Sequence, residues 1–420
     1  MTRRVVVVGA GIVGAMCAVQ AVRAGHDVTI VEPGTPGSDH ATSFGNLGWL
    51  STHSVIPPAE PGTWKKIPQY LADPLGPVSV RWSYLPRAMP WLVRFVASSA
   101  TWPRVAVTAR ALRSLLVDSP RLHAEVANAA GVGALIDQGG VLHVYRSREA
   151  FARDAMAWTV RHDVGVQWRE LEADELHRRE PALDSHYAFA VHVAEAGHCR
   201  DPGAYTKALF VHALAGGARH VRARATGWRI ERGRLRAVTT EGGDVDADAA
   251  VVAAGSRSAS LARAAGDRVP LLTERGYHAA FVGADIGPKT PMMVMDRKVI
   301  ATAMQGALRV GGQVEIAPND GAPNWRRAEV VRDIAFDLFP ALPRDPDPDR
   351  VRFWLGRRPS MPDGLPCIGY ASATRDVVYA FGHGHVGLSG SARTGRVVAQ
   401  LLSEATPEIP LAAFDARRFQ

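Results

Sequence analysis

Residues 4–32 read RVVVVGAGIVGAMCAVQAVRAGHDVTIVE, and the order of residue types in this stretch decides the fold. Arg4–Val8 is a β-branched run, the composition of a buried strand. Gly9, Gly11 and Gly14 follow at once in the spacing G-x-G-x-x-G. An Ala-rich segment of helical composition runs on from them, and Gly25 sits where such a helix ends. His26–Val31 is a second apolar strand, closed by Glu32. Strand, glycine turn, helix, strand and terminal acid together make a complete βαβ unit of the dinucleotide-binding kind. Gly9 allows the tight turn, Gly11 lets backbone approach a pyrophosphate, and Gly14 lets helix and strand pack closely. The helix N-terminus offers unpaired N–H groups and positive potential to phosphates. Glu32 is placed to accept hydrogen bonds from ribose hydroxyls.

The same stretch has the outline of a secretion signal or membrane helix, since Arg3 and Arg4 precede the uncharged run Val5–Val22. The glycines at nucleotide-binding spacing argue against that reading, because removing the run would destroy the βαβ unit. No other uncharged run is long enough to span a bilayer. The chain has 420 residues, enough for two or three domains, and 47% of them are hydrophobic, enough for a large core. Cys17, Cys199 and Cys367 are odd in number and far apart, which suggests neither a disulfide framework nor a metal site and fits a reducing cytosol. The net charge of +8 comes almost wholly from scattered arginines, with lysines only at positions 65, 66, 207, 289 and 298. Without a concentrated basic helix or an RNP signature, nucleic acid is not an expected partner.

Beyond Glu32, Pro33–Asp39 is a turn-rich loop and residues 42–48 read TSFGNLG, small and amide residues suited to lining a ligand. Residues 55–110 are rich in Pro and Trp with short helical stretches, and 111–130 predict an amphipathic helix. Gly139–Tyr145 predicts a strand, Glu149–His162 a helix, and Asp201–Ala215 a helix capped by Asp201. Strands are expected at 218–224, 227–230, 235–240 and 249–253, alternating strands through 269–316, and a helix at 325–338. Phe353–Ser360 precedes a Pro-Asp-Gly turn at 362–364, and Val377–Phe381 is a strand entering Gly382–Ser389, which a helix follows to about Leu402. Nucleotide-type elements at the start, middle and end of the chain predict a discontinuous domain with another inserted between its parts.

Five segments in this order, VVVVGAGIVG…VTIVE, TSFGNLG, DAAVVAAGSRS, LGRRPSMPDGLPCIG and YAFGHGHVGLSGSARTG, resemble the FAD-dependent D-amino-acid oxidase and glycine oxidase superfamily, most nearly its bacterial D-amino-acid dehydrogenase branch. The resemblance spans nearly the whole chain and is weakest over 55–190. It implies an α/β (α+β) fold in which a discontinuous Rossmann-like FAD-binding domain (1–55, 192–268 and 351–420) carries an inserted mixed-sheet substrate or cap domain (56–191 and 269–350).

It also implies positions for the cofactor. Thr42, Ser43, Asn46 and Gly48 match the segment that passes the pyrophosphate and the flavin ring, and their hydroxyls and N–H groups suit phosphate oxygens. Ala254 and Gly255 match the turn after the second adenine-side strand, and Thr226 the backbone near adenine. Gly382, His383, Gly384, His385, Val386, Gly387 and Leu388 match the loop at the flavin pyrimidine edge, where the following helix aims its N-terminal dipole. His383 and His385 form an H-x-H pair, but no third ligand lies nearby in sequence, so no metal is expected. No Cys or His stands at an attachment position of the family, so the FAD is expected to be noncovalent.

Arg358 lies in Gly-Arg-Arg-Pro, matching the family's G-x-R-P, whose arginine clamps the substrate carboxylate. A guanidinium fork suits a carboxylate bidentately and stays charged at any working pH. Pro359 favours an extended Arg358, and alternation along a strand then sends Arg357 to the other face. Tyr277, in Arg-Gly-Tyr, matches a family strand over the flavin and is a second candidate for substrate contact, and His53 follows the 46–48 loop closely enough to reach the ring.

These readings predict an FAD-dependent enzyme that oxidises the CH–NH bond of a D-amino acid or cyclic imino acid. Alternatives are a glycine- or sarcosine-type oxidase, a hydroxyproline-type dehydrogenase, an NAD-holding binding protein and a nucleic-acid-associated flavoprotein. No G-x-S-x-G, H-E-x-x-H, C-x-x-C or Walker lysine is present to carry hydrolase, zinc or phosphoryl-transfer chemistry. The electron acceptor stays open between a quinone and oxygen. Trp64-Lys65-Lys66, Trp82, Tyr84, Trp91, Arg94, Phe95, Trp102 and Arg104 interleave aromatics with cations, a composition that suits either a peripheral contact at the inner face of the membrane or ordinary packing of a helical insert in a cytoplasmic protein.

Overall fold

Val5, Val6, Val7 and Val8 are all at most 4% exposed, because the strand they form lies inside a parallel sheet with helices on both sides. The computed structural model describes residues 2–420. Its first sheet runs in the order Arg219–Val221, Asp27–Val31, Arg4–Val8, Ala249–Val252, Val377–Phe381 and Cys367–Tyr370. The first five strands are parallel, and only Cys367–Tyr370 is antiparallel to its neighbour. Strands from the beginning, middle and end of the chain therefore lie side by side, which is the discontinuous Rossmann-like arrangement.

Helix Ile12–Arg23 starts at Gly11 and packs between this sheet and the C-terminal helix Gly387–Leu402. Glycine is required at both contacts. A Cβ on Gly14 would stand 2.0 Å from the Gly9 carbonyl oxygen, and one on Gly395 would stand 2.8 Å from the Met16 side chain. Asp201 caps its helix, Pro202–Ala215, by accepting from the Ala204 N–H at 2.9 Å.

A second, ten-stranded mixed sheet is built around Leu272–Val282, which pairs with Ala307–Gly311, Val314–Ile316 and Val351–Ser360. It continues through Val299–Met304, Met292–Val294, Val141–Tyr145, Phe189–Val193 and Arg169–Glu172, and helix Arg326–Leu338 packs on it. An antiparallel meander, Ala225–Glu231, Arg234–Thr240 and Gly243–Asp246, forms a separate small sheet. Trp49–Leu50, Gly197–Cys199 and Ile136–Asp137 make a short three-stranded junction.

Several expectations are corrected. Strand Val351–Ser360 belongs to the large sheet, so a boundary at 351 does not follow sheet membership. Residues 102–129, expected in the cap, pack their apolar faces into the same core as the βαβ helix. The single helix expected over 111–130 is two, Trp102–Leu116 and Ser119–Ala129. Asp118 adopts φ +63° between them, and Pro120 can stand only in the first turn of the second. The helix expected at 149–162 is likewise split, into Arg148–Ala152 and Ala155–Asp163.

Candidate active site

The nucleotide end of the site is set by backbone geometry. Gly9 has φ +103°, and a Cβ there would lie 2.4 Å from the Ala253 carbonyl oxygen. Gly11, by contrast, faces only the Ser43 hydroxyl, at 3.4 Å from where its Cβ would stand. Ser43 Oγ accepts from the Ile12 N–H at 2.8 Å, so a side chain of the second loop sits over the first helix's N-terminus. The Glu32 carboxylate accepts from the Ala10 and Gly34 N–H groups, each at 2.9 Å. A carboxylate has about four acceptor positions, which leaves some for ribose hydroxyls. Gly255, at φ +56°, has nothing within 4 Å of the space a Cβ would take. A glycine-lined cradle with a hydroxyl and a carboxylate at its rim fits the pyrophosphate and ribose of FAD.

The 42–48 loop is tied down by its own carbonyl groups. Arg309 Nη1 donates to the Asn46 carbonyl at 2.7 Å and to that of Phe44 at 3.2 Å. Thr302 Oγ1 donates to the Leu47 carbonyl at 2.9 Å, and a ring nitrogen of His278 stands 3.0 Å from the Gly45 carbonyl oxygen. The large sheet therefore holds the loop that the parallel sheet presents. Asn46 is spent on local structure, its Oδ1 accepting from the Gly48 N–H at 2.8 Å. Thr42 Oγ1 donates to the Arg357 carbonyl at 2.7 Å, which links the loop to the strand bearing Arg358.

Arg358 stands directly opposite Glu274 across the antiparallel pair, two residues from the facing glycines Gly276 and Gly356. Its guanidinium lies across Gly276, where a Cβ would come within 2.4 Å of Nη1, Cζ and Nη2. Trp354 sits on Gly356 in the same way and stacks on His278, with ring centres 5.1 Å apart. Arg358 makes one long hydrogen bond to protein among the described residues, Nη1 to the Gln313 carbonyl at 3.3 Å. A guanidinium with five donors is thus left with most of them for a ligand. Gln313 Oε1 and Ser360 Oγ are buried nearby without a partner among the described residues. Burial among protein lowers the Arg358 pKa, and Glu274 opposes that.

The strand carrying Arg358 ends in a bridge from Ser360 to His383, which joins it to the C-terminal glycine loop. Gly382 and Gly384 adopt φ +83° and +52° there. His383 is buried, its Nε2 lies 3.0 Å from Thr394 Oγ1, and burial lowers its pKa to about 3, so it is neutral. His385 turns the other way and pairs with Glu274, Nε2 to Oε2 at 2.7 Å. The two imidazoles of the H-x-H pair therefore serve different partners.

Two expected site residues, Tyr277 and His53, are committed elsewhere. Tyr277 shares the opposite face of its strand with Arg275, because alternation that puts Glu274, Gly276 and His278 beside Arg358 puts Tyr277 behind them. Its hydroxyl donates to Glu315 Oε2 at 2.7 Å and its ring meets Trp325 edge-on. Arg357 lies on that far face too, donating to the Asn319 carbonyl at 2.8 Å. His53 is buried with both ring nitrogens engaged, 2.8 Å from His143 Nε2 and 3.2 Å from Ser51 Oγ. It packs with Trp49 and has no free polar atom for a substrate. Thr226 is on the meander, its hydroxyl donating to the Thr239 carbonyl at 3.3 Å. Sequence reasoning missed Glu274, His278, Gln313 and Trp354. The signal for Glu274 was a Glu-Arg pair inside a strand that carries no other Asp, Glu, Lys or Arg, which burial would make costly unless partnered.

The aromatic insert divides. Trp91 is buried and stacks on Phe95 at 4.9 Å, whereas Trp64 and Trp82 are 59% and 66% exposed. No helix among the described residues is long and apolar enough to cross a membrane.

Comparison with known proteins places this geometry. The family profile described as FAD dependent oxidoreductase matches residues 4–401. A Bradyrhizobium diazoefficiens protein named D-amino-acid oxidase is 56% identical over 417 residues, covering 99% of both chains. A Rhizobium rhizogenes D-amino acid dehydrogenase is 32% identical over 432 residues, covering 99% of this chain and all of the relative. Among solved structures, glycine oxidase from Geobacillus kaustophilus superposes with a TM-score of 0.74 at 22% identity, over 99% of both chains, a likeness of fold.

Proposed function

The chain belongs to the FAD-dependent oxidoreductase family, and from that premise we propose that it oxidises the CH–NH bond of a D-amino acid, with Arg358 as the carboxylate clamp. The observation that carries this reading is the Arg358 guanidinium, held over Gly276 beside the glycine loop with one long protein hydrogen bond. Bidentate capture of the carboxylate would fix Cα and its hydrogen toward the flavin. FAD supplies the two-electron acceptor chemistry. Loss of hydride from Cα and of a proton from nitrogen leaves an imine, which water converts to a 2-oxo acid and ammonia. A side-chain base is unnecessary if the amine binds neutral, and Tyr277 and His53 are not in position to act as one. The names of the relatives at 56% and 32% identity support the D-amino-acid class. In this reading the FAD is noncovalent, and denaturing precipitation releases all of the yellow colour.

For the electron acceptor, exposed Trp64, Trp82 and Val93 beside exposed Lys65 and Arg94 support a peripheral membrane contact, where quinone is at hand. Retention on quinone-free anionic vesicles, lost in a Trp64→Ser, Trp82→Ser double variant, is the expected result. Equal retention of both proteins would contradict it.

The substrate reading is tested by anaerobic flavin bleaching with D- and L-amino acids, sarcosine and hydroxyproline isomers. Rapid bleaching by D-amino acids with L-enantiomers inert supports it. Bleaching by sarcosine alone would transfer the chain to the glycine- and sarcosine-type alternative.

A further inference from the structure

Behind the strand pair that bears Arg358, guanidiniums crowd around one carboxylate. Arg275 and Arg357 stand directly opposite each other in that pair, on the face away from Arg358, and like charges so placed repel. Arg81 and Arg275 both make their ion pair with Glu315, at 2.7 and 3.4 Å. Arg327, fully buried beside them, gives its hydrogen bonds to neutral groups, the Pro74, Gly76 and Val314 carbonyls and Ser79 Oγ. Asp73 is the other carboxylate within electrostatic reach of Arg327, and Asp320, in the loop next to the cluster, is exposed to water. Arginine does not shed its proton in a protein, so the cluster keeps an excess of positive charge.

Two donors of this cluster converge on one spot. Arg275 is 0% exposed, and its Nε and Nη1 have no hydrogen-bond partner among the described residues. Its Nη2 donates to the Ala322 carbonyl at 3.1 Å. Arg81 engages Glu315 Oε1 through Nε and the same Ala322 carbonyl through Nη2, at 2.7 and 2.6 Å. The Nη1 groups of both arginines come to Gly321, where a Cβ would stand 3.2 Å from that of Arg275 and 3.4 Å from that of Arg81. The other near atom is the Pro318 carbonyl oxygen at 3.2 Å, which accepts from the Gly321 N–H within the turn at 3.1 Å. The space beside Gly321 therefore takes a single heavy atom, with two guanidinium nitrogens at its wall.

We propose that Arg81 and Arg275 bind a monatomic anion, a halide such as chloride, beside Gly321. Charged N–H donors with excess positive charge behind them favour an anion, and the width of the space favours one atom over the four oxygens of a phosphate or sulfate. The Arg81 side chain is 31% exposed, so the ion enters from solvent past it and reaches the buried Arg275. There it supplies the acceptor that Arg275 Nη1 lacks and offsets the repulsion between Arg275 and Arg357. The site lies on the far face of the sheet from Arg358, so it does not depend on the substrate reading.

The test uses the flavin-loaded enzyme, with chloride exchanged for gluconate at constant ionic strength so that screening stays fixed. For the wild type, Tm is expected to rise with the logarithm of chloride once the site fills, as for a ligand of the folded state alone. Bromide should act alike, whereas sulfate should add only its general effect, equal in every variant. Gly321→Ala puts a methyl in the space and leaves every charge in place, and Gly321 is not among the glycines with positive φ, so the backbone accepts it. The chloride dependence is expected to vanish in Gly321→Ala and in Arg81→Gln. A dependence that persists in Gly321→Ala puts the chloride elsewhere, Arg358 included, and overturns the proposal, as does a wild type with none. If Gly321→Ala fails to fold, Arg81→Gln carries the same comparison. Anomalous scattering from a bromide-soaked crystal locates the ion directly. A peak between the two Nη1 atoms is expected, and water there without a peak is equally fatal.

Discussion

Arg358 and Gly276 form one unit, because the guanidinium occupies the space where any other residue would place its Cβ. Two predictions follow from the geometry of that pair. Arg358→Lys keeps the charge but loses the planar fork, so the protein should stay folded and yellow while kcat/KM falls by at least about 10²-fold, the scale of a misplaced reacting group. Arg357→Lys is its control and should be nearly silent, since Arg357 points to the far face and donates to Asn319. Steady-state kinetics of the two variants decide the register, and equal effects would contradict it. Gly276→Ala adds a methyl 2.3 Å from Arg358 Nη1. The atom it meets is the end of a flexible side chain, so folding should survive and the clamp should move. The expected result is a KM at least about tenfold higher with flavin content unchanged. An unaltered KM would show that the guanidinium does not rest over Gly276 when substrate is bound.

At the scale of elements, the βαβ unit was legible because each of its parts leaves a local mark: a valine run, three spaced glycines, a terminal acid. Glu32 is the part whose role the structure enlarges. Besides the ribose contact proposed for it, it ties the Ala10 and Gly34 N–H groups, so it closes the turn it follows. Glu32→Ala should therefore lower flavin affinity and also the Tm of flavin-free protein, with each charged hydrogen bond worth about 1.5–3 kcal/mol. Differential scanning of the flavin-free protein checks this, and an unchanged Tm would limit Glu32 to the ribose. Arg358 was legible for a similar reason, since its motif fixes both the residue and its alternation with Arg357. Tyr277 was misplaced because adjacency in Arg-Gly-Tyr says nothing about which face of the sheet it shares with Arg358. That depends on which strand pairs with Leu272–Val282, a nonlocal fact. His53 was misplaced for the same kind of reason, because its partner His143 comes from a distant strand. The split near Asp118 escaped because amphipathic periodicity continues through a break that only the backbone reveals.

Across the described residues, five of the seven buried histidines are the most completely enclosed and are held neutral: His53, His123, His143, His278 and His383. Burial lowers all five, to about 4 for His123 and about 3 for His278 and His383. The unfolded chain takes up these protons near pH 6.5 while the folded chain does not, so stability is fully present above that pH and lost as pH falls below it. Each site contributes up to about 1.4 kcal/mol per pH unit in that window. Tm should thus fall steeply between about pH 6.5 and 4, and a flat profile there would mean that these imidazoles are charged or accessible in the native state. One sheet carries the cradle and the other the clamp, and the account stands on what the two do together. The most direct measurement is single-turnover flavin reduction, without oxygen, by D-alanine, L-alanine and ethylamine. Fast reduction by D-alanine, with L-alanine and the carboxylate-free amine slower by at least about 10²-fold, is the predicted result. Reduction by ethylamine as fast as by D-alanine would contradict the carboxylate clamp, and with it the proposed function.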